Sequence, residues 1–448
     1  MVESGLVNPL QAFERLAPEP DWAFRELTPR QTSYATHGYH RYPAKFIPQL
    51  AARLIEEYSS PGDLVVDPFM GSGTTLIEAK LMGRASLGVD VNPVAYLVAR
   101  AKTQCIDPVH LEQALSRLCG QLMLTAPPIF FDAAPAWTYE KLQVAPIPGR
   151  NTSGWPSRLH YWFSSATLHQ LAQIQKAIGT LEDEALRTFF YCTLSHILKP
   201  VSYWHDRSVK PTRRLEKPIP DARKLFCRHA RQMAQGNREF WELLCQRKAL
   251  ETPAVPHRAD ARQLPLPDES ATLIITSPPY VTSYEYADLH QLSALWFGWA
   301  SNLREFREQF IGRSNGVRAV ETRSGSPLAE HIVRQIGEVN SRKAREVALY
   351  FSEMRECFTE MLRVLVPKGH LCLVIGNTHL CGVEVKNAQV FAEQLHALGF
   401  AITRVILREI PSKILPRTRD KATGKFAKVS AADYIAYPTE YILIARKS

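Results

Sequence analysis

No CxxC pair occurs among the eight cysteines, Cys105, Cys119, Cys192, Cys227, Cys245, Cys357, Cys372 and Cys381. Scattered over 448 residues, they give neither a disulfide framework nor a tetrahedral zinc signature. Free thiols in a reducing cytoplasm are the expectation, with no metal. No apolar run reaches the ~18 residues of a membrane-spanning helix. Met1-Val2-Glu3-Ser4 lacks the basic-then-apolar pattern of a secretory segment. A cytoplasmic protein without a membrane partner is therefore expected. Internal repeats are also missing. Charged residues are 22% and hydrophobic residues 45%, which argues against a disordered chain. The length suits one large domain, or a catalytic domain with a second lobe. Lys and Arg total 54 against 44 Asp and Glu, a net +10 that suits a polyanionic partner.

The alternation of elements is clearest near the N-terminal third. Residues 1–30 carry little pattern, and Gln49 to Tyr58 reads as an amphipathic helix. Leu64-Val65-Val66 is a short β-branched run ending in Asp67, as expected of a buried parallel strand. Gly71 to Thr75 opens a helix to about Met82. Ala85 to Asp90 is a second strand, and Asn92-Pro93 starts another helix. From about residue 106 this regularity stops. Residues 106–254 hold Pro-rich loops, aromatic clusters, a helical run from Thr167 to Leu198 and a basic stretch. Strands are expected again at Val255–Asp260, Ala271–Ser277, His370–Ile375, Ala401–Ile410 and Glu440–Ala445. Between them lie a polar excursion at 301–345, a helix from Val347 to Val364 stopped by Pro367-Lys368-Gly369, and a helix at 387–398.

This order predicts an α/β fold: a doubly wound, mostly parallel, seven-stranded Rossmann-like sheet with an inserted lobe. Three parts are expected. Residues 1–105 carry the N-terminal segment and the glycine loop, 106–254 form the inserted lobe, and 255–448 complete the sheet. Ligands of such sheets bind at the carboxyl ends of the strands, where Asp67, Asp90, Asp260 and Ser277 are expected to stand.

Asp67-Pro68-Phe69-Met70-Gly71-Ser72-Gly73-Thr74 is a strand, glycine loop and helix start. Its glycines let backbone approach a ligand, and the helix N-terminus favours an anionic group. A dinucleotide fingerprint would need glycine where Leu76 stands, and a P-loop would need a lysine after Gly73. What remains is a cradle for an amino-acid moiety, with Asp90, 23 residues after Asp67, placed to hold ribose hydroxyls.

Ser277-Pro278-Pro279-Tyr280 is the sharper signal. Two prolines cannot continue the hydrogen bonding of a central strand. They leave the Pro278 carbonyl free and fix φ at both positions. A hydroxyl, a bare carbonyl and an aromatic ring then stand close together. The two oxygens can accept from an exocyclic amine on a planar ring, and Tyr280 can stack on that ring. Such acceptors would pull the nitrogen toward sp³ and aim its lone pair at an electrophile.

Together, Asp67 to Thr75 and Thr276 to Tyr280 resemble the amino-methyltransferases of DNA, which act on adenine N6 or cytosine N4. The resemblance covers 37–104 and 255–446 and implies S-adenosyl-L-methionine as cofactor. It implies a cofactor-binding set of Tyr42, Pro43, Lys45, Phe46, Asp67, Phe69, Gly71, Gly73, Thr74, Asp90, Asn92, Asp260 and Ala261. Tyr42 to Pro48 would help hold the methionine part, and Asp260 would read the adenine. Ser277, Pro278, Pro279 and Tyr280 would be catalytic. Serine at 277 is typical of cytosine-N4 enzymes, while adenine enzymes usually carry Asp or Asn there. The glycine loop precedes the tetrad, the reverse of many cytosine-N4 enzymes. The insertion between the second and third strands is an uncommon place for target recognition.

The expected activity is methylation of cytosine N4 in a flipped-out base of double-stranded DNA, as in restriction-modification. A cognate restriction endonuclease acting separately is a further candidate partner. The alternatives are adenine-N6 methylation, an RNA amine methyltransferase, and a DNA-binding protein that keeps the fold without activity. A cytosine-C5 enzyme is set aside, because no Pro-Cys dipeptide occurs. The basic stretch Arg207, Lys210, Arg213 and Arg214, near Tyr203 and Trp204, reads equally as a phosphate contact or as a solvated face. So does the loop with Lys413, Arg417, Arg419, Lys421, Lys425 and Lys428.

Overall fold

Short β-branched runs and the connections between them set the strands in a computed structural model of the chain. The first five are β1 (Leu64–Asp67), β2 (Ala85–Val89), β3 (Ala254–His257), β4 (Ala271–Thr276) and β5 (Leu365–Ile375). β6 (Thr378–Leu380) and β7 (Val383–Val385) form a small hairpin; β8 (Phe400–Glu409) follows. β9 (Thr418–Arg419) and β10 (Tyr434–Ile435) pair with each other, and β11 (Thr439–Lys447) ends the chain. The structure describes residues 9–14, 16–43, 45–124, 157–208, 210–281, 286–300, 302–312, 323–410, 418–419, 434–435 and 439–448. Of the second basic loop, Lys413, Arg417, Lys421, Lys425 and Lys428 lie outside the described residues, as does the side chain of Arg419.

The main sheet has seven strands in the order β3-β2-β1-β4-β5-β11-β8. The first five are mutually parallel, and β11 runs antiparallel to both β5 and β8. This is the expected doubly wound, mostly parallel sheet. Strand order reverses direction at β1 and β4, so the ends of those two strands flank a crevice.

The helices are α1 (Pro48–Tyr58), α2 (Thr74–Leu81), α3 (Pro93–Thr103), α4 (Pro108–Leu124), α5 (Ser157–Trp162), α6 (Ser165–Gly179), α7 (Glu184–Leu198) and α8 (Ala222–Gln246). After β4 come α9 (Tyr286–Leu289), α10 (Gln291–Trp296), α11 (Leu303–Glu308), α12 (Pro327–Val339), α13 (Ser341–Val364) and α14 (Asn387–Ala397). No described helix is long and apolar enough to cross a membrane.

Period-2 alternation distributes the strand residues between two cores. Val65, Leu273, Ile275, Val374 and Ile442 pack with Leu50 and Leu54 of α1. Val66, Ile274, Leu373 and Leu443 point the other way, onto Phe358 and Met361 of α13 and Phe391 of α14. Trp22, in a segment with no sequence pattern, is fully buried under α1, and Arg53 lies 3.8 Å over its ring.

Four boundaries differ from expectation. β3 stops at His257, so Asp260 stands three residues beyond the strand. The run from Thr167 to Leu198 is two helices, because Asp183 accepts from the amides of Ala185 (2.7 Å) and Leu186 (3.1 Å) and caps a new start. The helix expected from Val347 begins at Ser341, capped by Asn340. Pro367 to Gly369 lie inside β5 rather than before it, next to a register shift against β4. A proline is tolerated at such an irregularity.

Helices α4 to α8 share one apolar core with α3 and α10. α8 also reaches the N-terminal segment, where the turn Ala35–Gly38 presses on its middle. Gly236 makes that approach possible: a Cβ there would stand 2.4 Å from the Ala35 carbonyl oxygen. Alanine is ordinarily better than glycine inside a helix by ~1 kcal/mol. Here the clash is with backbone, so Gly236→Ala is expected to destabilise by about 1–3 kcal/mol. Thermal unfolding checks the sign: a raised midpoint would mean that α8 and the N-terminal turn are not in contact.

Candidate active site

The carboxyl ends of β1, β2 and β4 open into one cleft. Tyr42, Lys45, Phe46, Asp67, Phe69, Gly71, Thr74, Asp90, Asp260, Ala261, Ser277, Pro279 and Tyr280 all line it. The empty space of the cleft, including the solvent open at its mouth, is about 1270 Å³. Of the residues singled out in the sequence, Pro43, Gly73, Asn92 and Pro278 do not line it. Gly73 and Asn92 act from beneath. Gly73 has φ +78° and precedes α2, and a Cβ there would meet Ala99 at 3.0 Å. Asn92 caps α3 through the Val94 amide, at 3.0 Å.

Asp67 is the hub of the loop. One carboxylate oxygen accepts from Thr276 Oγ1 (2.6 Å) and the Phe69 amide (3.1 Å); the other accepts from Thr75 Oγ1 (2.7 Å). Burial pushes its pKa up to about 6, against these three donors. Asp90 accepts from the amides of Gly71 (3.1 Å) and Asn92 (2.9 Å), and burial raises it to about 7. Gly71, at φ +47°, lies against Tyr42, where a Cβ would be 3.1 Å from the ring. Tyr42 in turn leans on His290 with ring centres 4.8 Å apart, and His290 Nδ1 is 2.8 Å from Asn92 Nδ2. Lys45 donates to the His37 carbonyl at 3.2 Å, and burial lowers its pKa to about 8.

The loop offers unpaired groups to a ligand. Ser72 Oγ and Thr74 Oγ1 are buried without a hydrogen-bond partner, and both residues line the cleft. No side chain caps α2. Buried polar atoms without partners are costly, and these suit a carboxylate or amino group seated on the helix N-terminus. This donor set fits an amino-acid moiety, with Asp90 beyond it free to accept from hydroxyls.

At the other wall, Ser277 follows the last residue of β4. No described group donates to its hydroxyl or to the Pro278 carbonyl. The next carbonyl, that of Pro279, accepts from Tyr350 Oη at 2.7 Å. Tyr280 packs on Gly376 beyond β5, where a Cβ would stand 3.2 Å from the ring. Asp260 is held by Arg262, whose Nη2 lies 2.7 Å away. Arg262 also reaches Glu353 at 2.8 Å, and Glu353 accepts from the Gly312 amide at 2.6 Å. Tyr286, Arg307, Phe310 and Ile311 close this side.

Sequence reasoning missed Thr75 and Thr276, the supports of Asp67, and also Tyr350, Gly376 and His290. A hydroxyl at each end of the loop was a weak signal for the threonines. Tyr350 and Gly376 carry none, because their roles come from strand and helix neighbours far along the chain.

The profile of the DNA methylase family, of the N6/N4 type, matches residues 13–100. The type II methyltransferase M.MvaI of Kocuria varians is 24% identical over 93% of this chain and 92% of its own length. The type II methyltransferase M.MjaII of Methanocaldococcus jannaschii is 40% identical over 23% of this chain and 20% of its own. M.BsoBI, from Geobacillus stearothermophilus, is 24% identical over 77% of this chain and 75% of its own. The chain is therefore similar to the DNA amino-methyltransferases, over nearly its whole length in the case of M.MvaI, and these similarities support S-adenosyl-L-methionine as the cofactor.

Proposed function

We propose that the protein methylates the exocyclic N4 amine of cytosine in double-stranded DNA, on a base turned out of the helix into the cleft. The observation that carries this reading is the Ser277 hydroxyl, which lines the same cleft as the glycine loop and Tyr280 and, like the adjacent Pro278 carbonyl, receives no hydrogen bond from a described group. When bound, S-adenosyl-L-methionine supplies an electrophilic methyl group. Ser277 Oγ and the Pro278 carbonyl accept the two amine hydrogens, and Tyr280 stacks on the pyrimidine. Tyr350 fixes the Pro279 peptide, so the acceptors need no reorganisation. Ser72 and Thr74 hold the amino-acid end of the cofactor, Asp90 the ribose, and Asp260 with Ala261 the adenine side. Serine rather than an acid or amide at 277 supports cytosine.

Nucleoside mass spectrometry on DNA from cells expressing the protein tests the target: N4-methylcytosine is expected, and N6-methyladenine in its place would overturn the choice of base. Ser277→Ala combined with Tyr280→Ala is expected to keep cofactor affinity within a few-fold while turnover falls by about 10²–10³ or more. Retained turnover would move the chemistry elsewhere.

The raised carboxyls give a pH signature. Because burial lifts both Asp67 and Asp90 above the ordinary carboxylate range, the folded free protein binds more protons than the unfolded chain. Their contribution to stability therefore falls as pH rises from ~4 through the folded values. Ribose hydroxyls donating to Asp90 favour its charged form, so cofactor binding runs the other way. Between pH 6 and 8, affinity is expected to rise about tenfold. Calorimetric titration of wild type and Asp90→Asn checks this, and an equal rise in both would remove Asp90 from the cofactor site.

A further inference from the structure

Between α7 and α8 the chain makes a tight hairpin that the cleft does not use. The His205 amide donates to the Thr212 carbonyl at 2.8 Å, and the Arg214 amide donates to the Tyr203 carbonyl at 2.7 Å. Trp204 and Arg213 pair across it. A buried lysine props it from below: Lys217 Nζ donates to the carbonyls of Lys199 (3.2 Å) and Trp204 (3.0 Å) and meets Asp206 at 2.7 Å. Lys199 Nζ and Trp204 Nε1 both donate to the Ser208 carbonyl, at 2.8 and 3.2 Å. Trp204 stacks on Trp162 with ring centres 5.4 Å apart. The hairpin is therefore fixed from both sides before any partner arrives.

Its cations divide into two groups. Lys217 is structural, and Arg213 lies 4.3 Å over Tyr161 and 5.4 Å from Tyr203. Arg207, Lys210 and Arg214 are exposed, and none of their side chains bonds to a described residue. Asp206 is already paired with Lys217, and among the described residues Glu216 is the carboxylate of the segment with no ion pair. Tyr161, under Arg213, and Leu215, next to Arg214 in sequence, are exposed.

Indirect contacts through α5 link the hairpin to elements that border the cleft: Arg213 lies over Tyr161 of that helix, and Arg158 of the same helix reaches Gln291. Arg41 directly precedes the cleft residue Tyr42, and its charge is felt at Lys199, whose pKa is lowered to about 8 by burial and then by Arg41. On the other side, Arg158 donates to Gln291 Oε1 at 3.3 Å. Gln291 opens α10, just after the α9 residues Tyr286 and Ala287 that line the cleft. Arg207 and Arg214 line one shallow pocket, and Lys210 stands apart on the same hairpin, so the three exposed cations can meet more than one phosphate of a polyanionic backbone.

We propose that the hairpin Tyr203–Arg214 is a clamp for the DNA backbone, gripping phosphates with Arg207, Lys210 and Arg214. This rests on the reading that duplex DNA is the substrate. Phosphate contacts of this kind position the duplex without reading its sequence.

The test uses the full chain and a short duplex, with binding followed by fluorescence anisotropy over a range of salt. The triple variant Arg207→Ala, Lys210→Ala, Arg214→Ala is expected to weaken duplex binding about tenfold or more at ~0.1 M salt. Its salt slope should be shallower by about 2–3, since each lost phosphate contact removes ~0.9. Calorimetric affinity for S-adenosyl-L-methionine should not change, and turnover at saturating DNA should stay near wild type while KM for DNA rises. A charge-matched triple on α8, Lys224→Ala, Arg228→Ala, Arg231→Ala, serves as control. An unchanged slope in the hairpin variant, or an equal loss in both triples, would overturn the clamp. If the wild-type protein binds and methylates tRNA but not the duplex, the substrate reading itself fails, and the hairpin variant's effect on tRNA is then a separate result.

Discussion

A single buried carboxylate holds the reactive end of the sheet together. Asp67 closes β1, and its oxygens tie that strand to the neighbouring β4 through Thr276, to the start of α2 through Thr75, and to its own loop through the Phe69 amide. Three donors offset part of the cost of its burial. The result is that the glycine loop and the Ser-Pro-Pro-Tyr segment, more than two hundred residues apart, start from one fixed point. A methyl donor on one and an amine on the other would then meet without a large rearrangement. Positioning of this kind can supply a large part of the rate of the proposed transfer.

The second wall is built by tertiary contacts rather than by the motif. Two prolines stiffen the chain, but stiffness alone does not aim it. Tyr350, from the middle of α13, takes the Pro279 carbonyl, and Gly376 makes room for Tyr280 beyond β5. The Arg262–Glu353–Gly312 chain joins the Asp260 turn to the segment carrying Phe310 and Ile311. The Asp260 turn and the far wall of the cleft therefore share a scaffold.

Helices from the central region are anchored to the same site by buried polar contacts. His40 meets Ser195 of α7 at 3.0 Å, and Ser195 meets Ser293 of α10 at 2.8 Å. His290 links Asn92 to the Tyr42 ring. Burial lowers the pKa of His40 to about 3 and that of His290 to about 4, so both are neutral at physiological pH and act as hydrogen-bonding groups, not charges. The hairpin that carries Arg207, Lys210 and Arg214 inherits its placement from these helices.

Local chemistry determined much of this within the sequence. Period-2 and β-branched runs gave the sheet its strands, the glycines at 71 and 73 marked a close approach, and the acids after β1 and β2 marked a ligand edge. Those signals are local because backbone sterics and strand burial act over a few residues. Asp183 split a helix that periodicity alone read as one, since a cap competes locally with helix continuation. The tertiary structure decided what distance along the chain conceals. Asp67 needs Thr276, Pro279 needs Tyr350, and Gly236 needs the Ala35 carbonyl; each is a contact between segments whose sequences carry no trace of the other. It also separated Lys217 and Arg213, which serve the hairpin, from the exposed cations beside them. Composition counts charges, but only packing determines which of them are already paired.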